Sequence, residues 1–108
     1  MGRRVVVTGV GIVSPLGVGT EETWKECIAG TPGISPITKF DCEGFAVQIA
    51  GEVKGFDPLD YASRKDLKKM DYHIQYALAA SEFALDGAGL KGEDRPYSAD
   101  RMGVLIGS

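Results

Sequence analysis

The stretch VVVTGVGIVSPLG at residues 5–17 joins a β-branched run to closely spaced glycines, a combination that few local structures accommodate. The valines and the apolar residues after them predict a buried strand over residues 3–13, and the Ser-Pro that follows predicts its exit turn. A dinucleotide-binding loop would need a third glycine at Ser14, a helix beginning in the loop and an acidic residue about 20 positions later. Since this pattern is not met, we interpret Gly9 and Gly11 as points where neighbouring backbone approaches the strand closely.

The rest of the chain predicts a mixed α/β arrangement. In the first half, the predicted elements are a helix capped by Thr20 and ended by Gly30, an irregular connection at 33–41 and a strand at 45–53. In the second half, a helix capped by Ser63 is predicted to run to about Asp86, and a bend within it is allowed. A polar loop at 91–100 and a strand at 102–106 follow that helix. Alanines on the long helix predict that it can approach a sheet closely.

Composition narrows the class of protein. With 44% hydrophobic and 25% charged residues, the chain of 108 residues fits one small soluble domain. A formal net charge of −3 argues against a general nucleic-acid-binding surface. No run approaches the roughly 18 apolar residues of a membrane span, so the sequence predicts a cytoplasmic protein.

Cys27, Cys42 and His73 show no catalytic or metal-binding spacing. The two cysteines are far apart and lack a surrounding set of ligands, so we expect buried structural thiols. His73 has no serine or cysteine at a motif spacing, and a structural role is favoured over that of a general base.

The segment SRKDLKKMDYHIQYA combines positive charge with an apolar stripe. At about 100° per residue, a continuous helix places one set of side chains on one face, namely Lys65, Lys68, Lys69 and Tyr72. The opposite face then carries Leu67, Met70, Ile74 and Leu78. The basic face is either an ordinary solvated surface or a docking surface for an acidic partner.

Five segments in collinear order resemble one enzyme family. They are RRVVVTGVGIVSPLG, TWKECIAGTPGISPITKFD, AGEVKGFDP, SRKDLKKMDYHIQYALAA and GVLIGS. Together they resemble the N-terminal sequence of a β-ketoacyl-acyl carrier protein synthase. The motif KMD-x-x-IQYA is most similar to that of the type II elongation enzyme. Because the apolar run at 102–106 leads directly into Gly107-Ser108, we expect residues 1–108 to be the N-terminal part of such a domain.

The resemblance implies a thiolase-like α/β fold, with layers of helices and mixed sheets, in a homodimer. It implies a decarboxylating condensation of malonyl-acyl carrier protein with an acyl group held on a cysteine, and no cofactor or metal. The nucleophilic cysteine and two histidines are expected beyond Ser108, so the isolated fragment should be inactive. Lys65, Lys68 and Lys69 match positions that bind the acidic acyl carrier protein.

Three alternatives remain open from the sequence. Polyketide ketosynthases begin similarly, and so would a non-catalytic ketosynthase-like subunit that sets chain length. A nucleotide-binding module that uses Gly9 and Gly11 is the third.

Overall fold

The computed structural model describes residues 2–108. The backbone forms two compact units, residues 12–57 and residues 2–11 together with 58–108. The strands and α-helices are β1 (Val13–Ser14), β2 (Gly17–Val18), α1 (Thr20–Ile28), β3 (Ile34–Pro36), β4 (Ile49–Gly51), α2 (Arg64–Leu67) and α3 (Tyr72–Gly87). Single 3₁₀ turns lie at Pro58–Asp60 and Ala99–Arg101.

In the unit of residues 12–57, a tight hairpin leads into α1. β1 and β2 pair antiparallel, with Val13 opposite Val18 and Ser14 opposite Gly17. The Ser14 and Thr23 hydroxyls lie 3.0 Å apart, and the Thr23 hydroxyl donates to the Gly17 carbonyl at 3.2 Å. These bonds hold the predicted exit turn against the first turns of α1.

Helix α1 begins one residue earlier than its predicted cap implies. Gly19, with φ of 113°, is the N-cap, and Thr20 is the first helical residue. A left-handed φ favours glycine at this position. The C-terminus follows the prediction, because Gly30 has φ of 73° and its N–H donates to the Cys27 carbonyl at 3.1 Å.

The spacing i, i+3, i+4 of Trp24, Cys27 and Ile28 predicts one buried stripe on this helix, and that prediction is wrong for residues 2–108. Trp24 is 64% exposed, Ile28 is 68% exposed, and Cys27 is also exposed. Periodicity identified which side chains share a face of the helix, but no packing element within residues 2–108 buries that face.

A second hairpin corrects two predictions. Residues 34–36, predicted to be irregular, form β3 and pair antiparallel with β4, so that Ser35 lies opposite Ala50. The strand predicted at 45–53 is limited to Ile49–Gly51. Its earlier part is occupied by a turn, in which the Phe45 N–H donates to the Cys42 carbonyl at 3.1 Å.

In the other unit, Gly9 and Gly11 lie against helix α3, and residues 3–11 form no strand, so the buried strand predicted at 3–13 is wrong except at Val13. Val5 and Val7 are more than 80% exposed. A strand needs a hydrogen-bonding neighbour, and no described segment pairs with residues 3–11 as one. The run predicted at 102–106 is likewise exposed and unpaired as a strand.

The close approach predicted at the two glycines is confirmed. A Cβ on Gly9 would lie 2.9 Å from the Cβ of Ala88, and one on Gly11 would lie 2.7 Å from the Ala84 nitrogen. Both would also overlap carbonyl oxygens of α3. The backbone meets the alanine-rich face of the helix at a distance that only glycine permits at these positions.

Helix α3 forms the centre of this unit. Ala79 is fully buried, and Tyr61 packs edge-on against Phe83 with ring centroids 5.8 Å apart. Burial, aided by the negative charge of Asp60, raises the pKa of Tyr61. The aromatic contact anchors the segment that leads into α2.

No helix within residues 2–108 has both the length and the apolarity needed to cross a membrane.

Candidate functional site

The predicted site residues lie in a basic segment, residues 64–69. Lys65 is on α2, Lys68 is the C-cap, and Lys69 lies in the turn that follows. All three lysines are exposed. The helical turn continues past α2, because the Lys69 N–H donates to the Asp66 carbonyl at 2.9 Å. The lysines therefore occupy neighbouring positions of one short helical segment.

The predicted cap at Ser63 is confirmed and fixes the start of the basic segment. Ser63 is extended, and its hydroxyl oxygen accepts from the Asp66 N–H at 3.2 Å. The same hydroxyl donates to the Asp66 carboxylate at 2.7 Å. This reciprocal arrangement resembles a capping box, and it directs the only carboxylate of the segment toward the N-terminus of α2.

The single helix predicted from Ser63 to about Asp86 is instead two helices. Asp71 is extended, with φ of −80° and ψ of 175°, and its carboxylate accepts from the Ile74 N–H at 3.1 Å as the N-cap of α3. Gln75 bridges the break by donating to the Met70 carbonyl at 3.2 Å. An Asp at 71 is itself a capping signal, so the break could have been found from the sequence.

The break changes the predicted faces. Lys65, Lys68 and Lys69 still share the short segment, but Tyr72 belongs to the next helix and does not follow their periodicity. The predicted apolar face is interrupted in the same way, because Leu67 and Met70 precede the break and Ile74 and Leu78 follow it. Tyr72 instead stacks on Tyr76, with ring centroids 5.9 Å apart.

An open pocket of about 370 Å³ lies beside the lysines. It is lined by Leu59, Arg64, Leu67 and Lys68, and its wall is mainly apolar. Sequence reasoning missed Leu59 and Arg64 as site residues. Arg64 adjoins Lys65 in the motif and could have been included on charge, whereas the position of Leu59 depends on how the 3₁₀ turn meets α2.

The remaining candidates show no catalytic arrangement. His73 is exposed in the first turn of α3, Cys27 is exposed, and Cys42 is half-buried. The expectation that both thiols are buried is therefore wrong. Within residues 2–108, no group of three or more His, Cys, Asp or Glu side chains could hold a metal ion.

Gly9 and Gly11 do not form a phosphate loop. Both face the C-terminal half of α3, where Ala80, Ala84 and Ala88 approach them. A phosphate-binding loop presents its N–H groups at the N-terminus of the helix that follows it. The glycines therefore serve packing, and the nucleotide-binding alternative is wrong.

Comparisons with known proteins identify one family, and the sequence matches cover nearly the whole chain. The model of the beta-ketoacyl synthase N-terminal domain matches residues 2–108. The 3-oxoacyl-[acyl-carrier-protein] synthase 2 of Vibrio cholerae is 50% identical over 106 residues, which cover 98% of this chain and 25% of that protein. The protein of the same name from Coxiella burnetii is 43% identical over the same coverage. The chain thus spans about a quarter of the length of these curated relatives.

A solved structure of the ishigamide ketosynthase/chain length factor is similar in three dimensions. It superposes with a TM-score of 0.74 at 45% identity, covering 82% of this chain and 22% of that chain. The thiolase-like α/β fold class expected from the sequence is confirmed by this likeness and by the family match. The chain therefore belongs to the β-ketoacyl synthase family, whose N-terminal domain it matches over residues 2–108.

Proposed function

We propose that this chain is the N-terminal part of a ketosynthase domain that elongates fatty acids. The reaction is the decarboxylating condensation of malonyl-acyl carrier protein with an acyl group held on the enzyme. The observation that carries the proposal is collinear identity of about half the residues, over 98% of the chain, with a 3-oxoacyl-[acyl-carrier-protein] synthase 2.

The proposed chemistry needs groups that this chain does not provide. A cysteine thiolate takes the acyl group, and two histidines bind the malonyl thioester and stabilise the enolate while carbon dioxide leaves. Cys27, Cys42 and His73 match none of these positions in the family. We place the nucleophile and the histidines in the remainder of the enzyme, and expect residues 1–108 alone to be inactive.

The proposed role of this chain is to bind the acyl carrier protein. Lys65, Lys68 and Lys69 are exposed on one short segment, and the Asp66 carboxylate beside them is engaged by Ser63. An exposed cluster of this kind attracts an acidic protein and raises its association rate. The carrier protein brings both thioesters, so its docking precedes both half-reactions.

A condensation assay tests the proposed activity. The full-length enzyme, supplied with acyl- and malonyl-acyl carrier protein, should release carbon dioxide and form the β-ketoacyl product. Residues 1–108 in the same assay should give no turnover. Condensation by the isolated chain would contradict the placement of the catalytic groups elsewhere, and an inactive full-length protein would contradict the proposed activity.

The second candidate is a polyketide ketosynthase or a non-catalytic subunit that sets chain length. The likeness to the ishigamide ketosynthase/chain length factor favours it. Intact mass spectrometry after incubation with acyl-acyl carrier protein separates the catalytic and non-catalytic cases. A ketosynthase gains the mass of one acyl group on a cysteine, whereas a subunit without the nucleophile gains none. Product analysis with fatty-acyl substrates then separates the two pathways.

A further inference from the structure

The pocket beside the basic segment combines apolar walls with positive charge. Leu59, on the 3₁₀ turn, is 45% exposed, and Leu67, the last residue of α2, is half-buried. Arg64 and Lys68 complete the lining. Long basic side chains often pack their methylene stems on apolar surface while their charged ends stay in water. The pocket can therefore bury an apolar group between two cations.

The charge around the pocket selects the kind of occupant. Its lining residues include two cations and no anion. Arg64 and Lys68 are four residues apart on a helical segment, which places them about 6 Å apart along the axis. A partner helix with carboxylates one turn apart matches this spacing, since side chains at i and i+4 lie on one face. An apolar side chain between the carboxylates would then face the pocket.

The shape favours a side chain over a free small molecule. Small-molecule sites enclose most of the ligand surface, whereas this pocket of about 370 Å³ opens widely to solvent. A single apolar side chain held by its own helix needs only one such depression, because the surrounding ionic contacts fix its position.

We propose that the Leu59–Leu67 pocket receives an apolar side chain of the acidic helix of the carrier protein, between ionic contacts to Arg64 and Lys68. The pocket is an anchor, and the lysines at 65 and 69 supply long-range attraction. This inference rests on the proposed carrier-protein docking and deepens it, because it assigns affinity to one apolar contact and not to charge alone.

The test measures holo-acyl carrier protein binding to the full-length enzyme over a range of salt concentrations. Leu59→Ala, which removes part of the wall, and Leu59→Trp, which fills the pocket, should each weaken binding about tenfold. Their salt dependence should match that of the unchanged enzyme, because no charge is altered. Val47→Ala, at another exposed apolar position, is the matched control and should bind normally.

Charge reversal at Lys65 and Lys69 tests carrier-protein docking independently of the apolar anchor. If Lys65→Glu with Lys69→Glu weakens binding while both Leu59 variants bind normally, docking stands and the anchor is wrong. If neither set weakens binding, the docking role itself is wrong.

Two further outcomes identify other occupants. Protection of a Leu59→Cys thiol from alkylation by decanoate alone would assign the pocket to an acyl chain, which would overturn the proposal. Dissociation of an enzyme dimer by Leu59→Trp would assign it to a second copy, with the same consequence. Coupling of about tenfold between Leu59→Ala and an apolar-to-alanine change on the acidic helix of the carrier protein would identify the predicted anchor.

Discussion

The Glu52 carboxylate ties the segment after β3 to the end of β4 by accepting hydrogen bonds from Thr38, whose N–H lies at 3.2 Å and whose hydroxyl lies at 2.9 Å. The Lys39 N–H donates to the same carboxylate at 3.0 Å. Glu52 is only 7% exposed, so its charge depends on these donors in place of water.

Glu52→Gln should lower the melting temperature. The amide can accept through only one of its two polar atoms, so at least one donor of the Thr38–Lys39 segment loses its partner. Thermal unfolding measures the effect, and Glu43→Gln, at an exposed position of the same unit, is the matched control. Equal melting temperatures for the two variants would show that the Glu52 contacts do not stabilise the hairpin.

The stabilisation by Glu52 should depend on pH. Burial raises the pKa of Glu52, but hydrogen bonds from Thr38 and Lys39 outweigh it and hold the pKa below its usual value of 4.5. A carboxyl group whose pKa is lower in the folded state stabilises the fold above its unfolded pKa. This contribution is lost as the pH falls through the folded pKa.

Unfolding of the unchanged protein and of Glu52→Gln at several pH values measures this dependence. The difference in stability should be largest near neutral pH and should shrink below about pH 4.5, since glutamine does not titrate. A difference that grows on acidification would contradict the lowered pKa.

Gly11→Ala should destabilise the unit built on α3. The new methyl group would overlap the Ala80 carbonyl and approach the Ala84 nitrogen, which are backbone atoms that cannot rotate away. Overpacking of this kind typically costs about 1–3 kcal/mol. Chemical denaturation gives the value, and Gly103→Ala is the control because its Cβ would meet nothing within 4 Å. Similar stability of the two variants would exclude the close approach.

Ser63→Ala should remove the cap of the basic segment. Loss of an N-cap side chain typically destabilises a protein by about 1 kcal/mol. Ser98→Ala is a matched control, because Ser98 is an N-cap whose side chain makes no capping hydrogen bond. Denaturant unfolding should therefore separate the two variants by about the value of one cap. If they unfold alike, the Ser63–Asp66 pair does not stabilise α2.

The sequence predicted helix caps and helix ends better than it predicted strands. The cap at Ser63 and the helix end at Gly30 were correct, because both depend on a few neighbouring residues. The strands predicted at 3–13 and 102–106 were wrong, because a strand also needs a partner that no described segment supplies. The glycine packing was correct, since it depends on the absence of a side chain and not on pairing.

The lysines of the candidate site could be predicted from the sequence, but their arrangement on the helix and the adjoining pocket could not. The lysines stood out as a charge cluster, and the family resemblance gave them a role. Their predicted helical face failed at Asp71, where a capping residue interrupts the periodicity. The pocket was out of reach of periodicity, because Leu59 and Leu67 belong to different elements and meet only through the fold.

Binding of acyl carrier protein to the full-length enzyme, measured as a function of salt, shows whether the basic segment is the docking surface. The enzyme with Lys65→Glu and Lys69→Glu should bind at least about tenfold more weakly at low salt, and its affinity should respond less to added salt. Lys25→Glu on α1, a charge reversal at another exposed lysine, should bind normally and retain the salt dependence. Unchanged binding of the double variant at low salt would contradict carrier-protein docking on the basic segment.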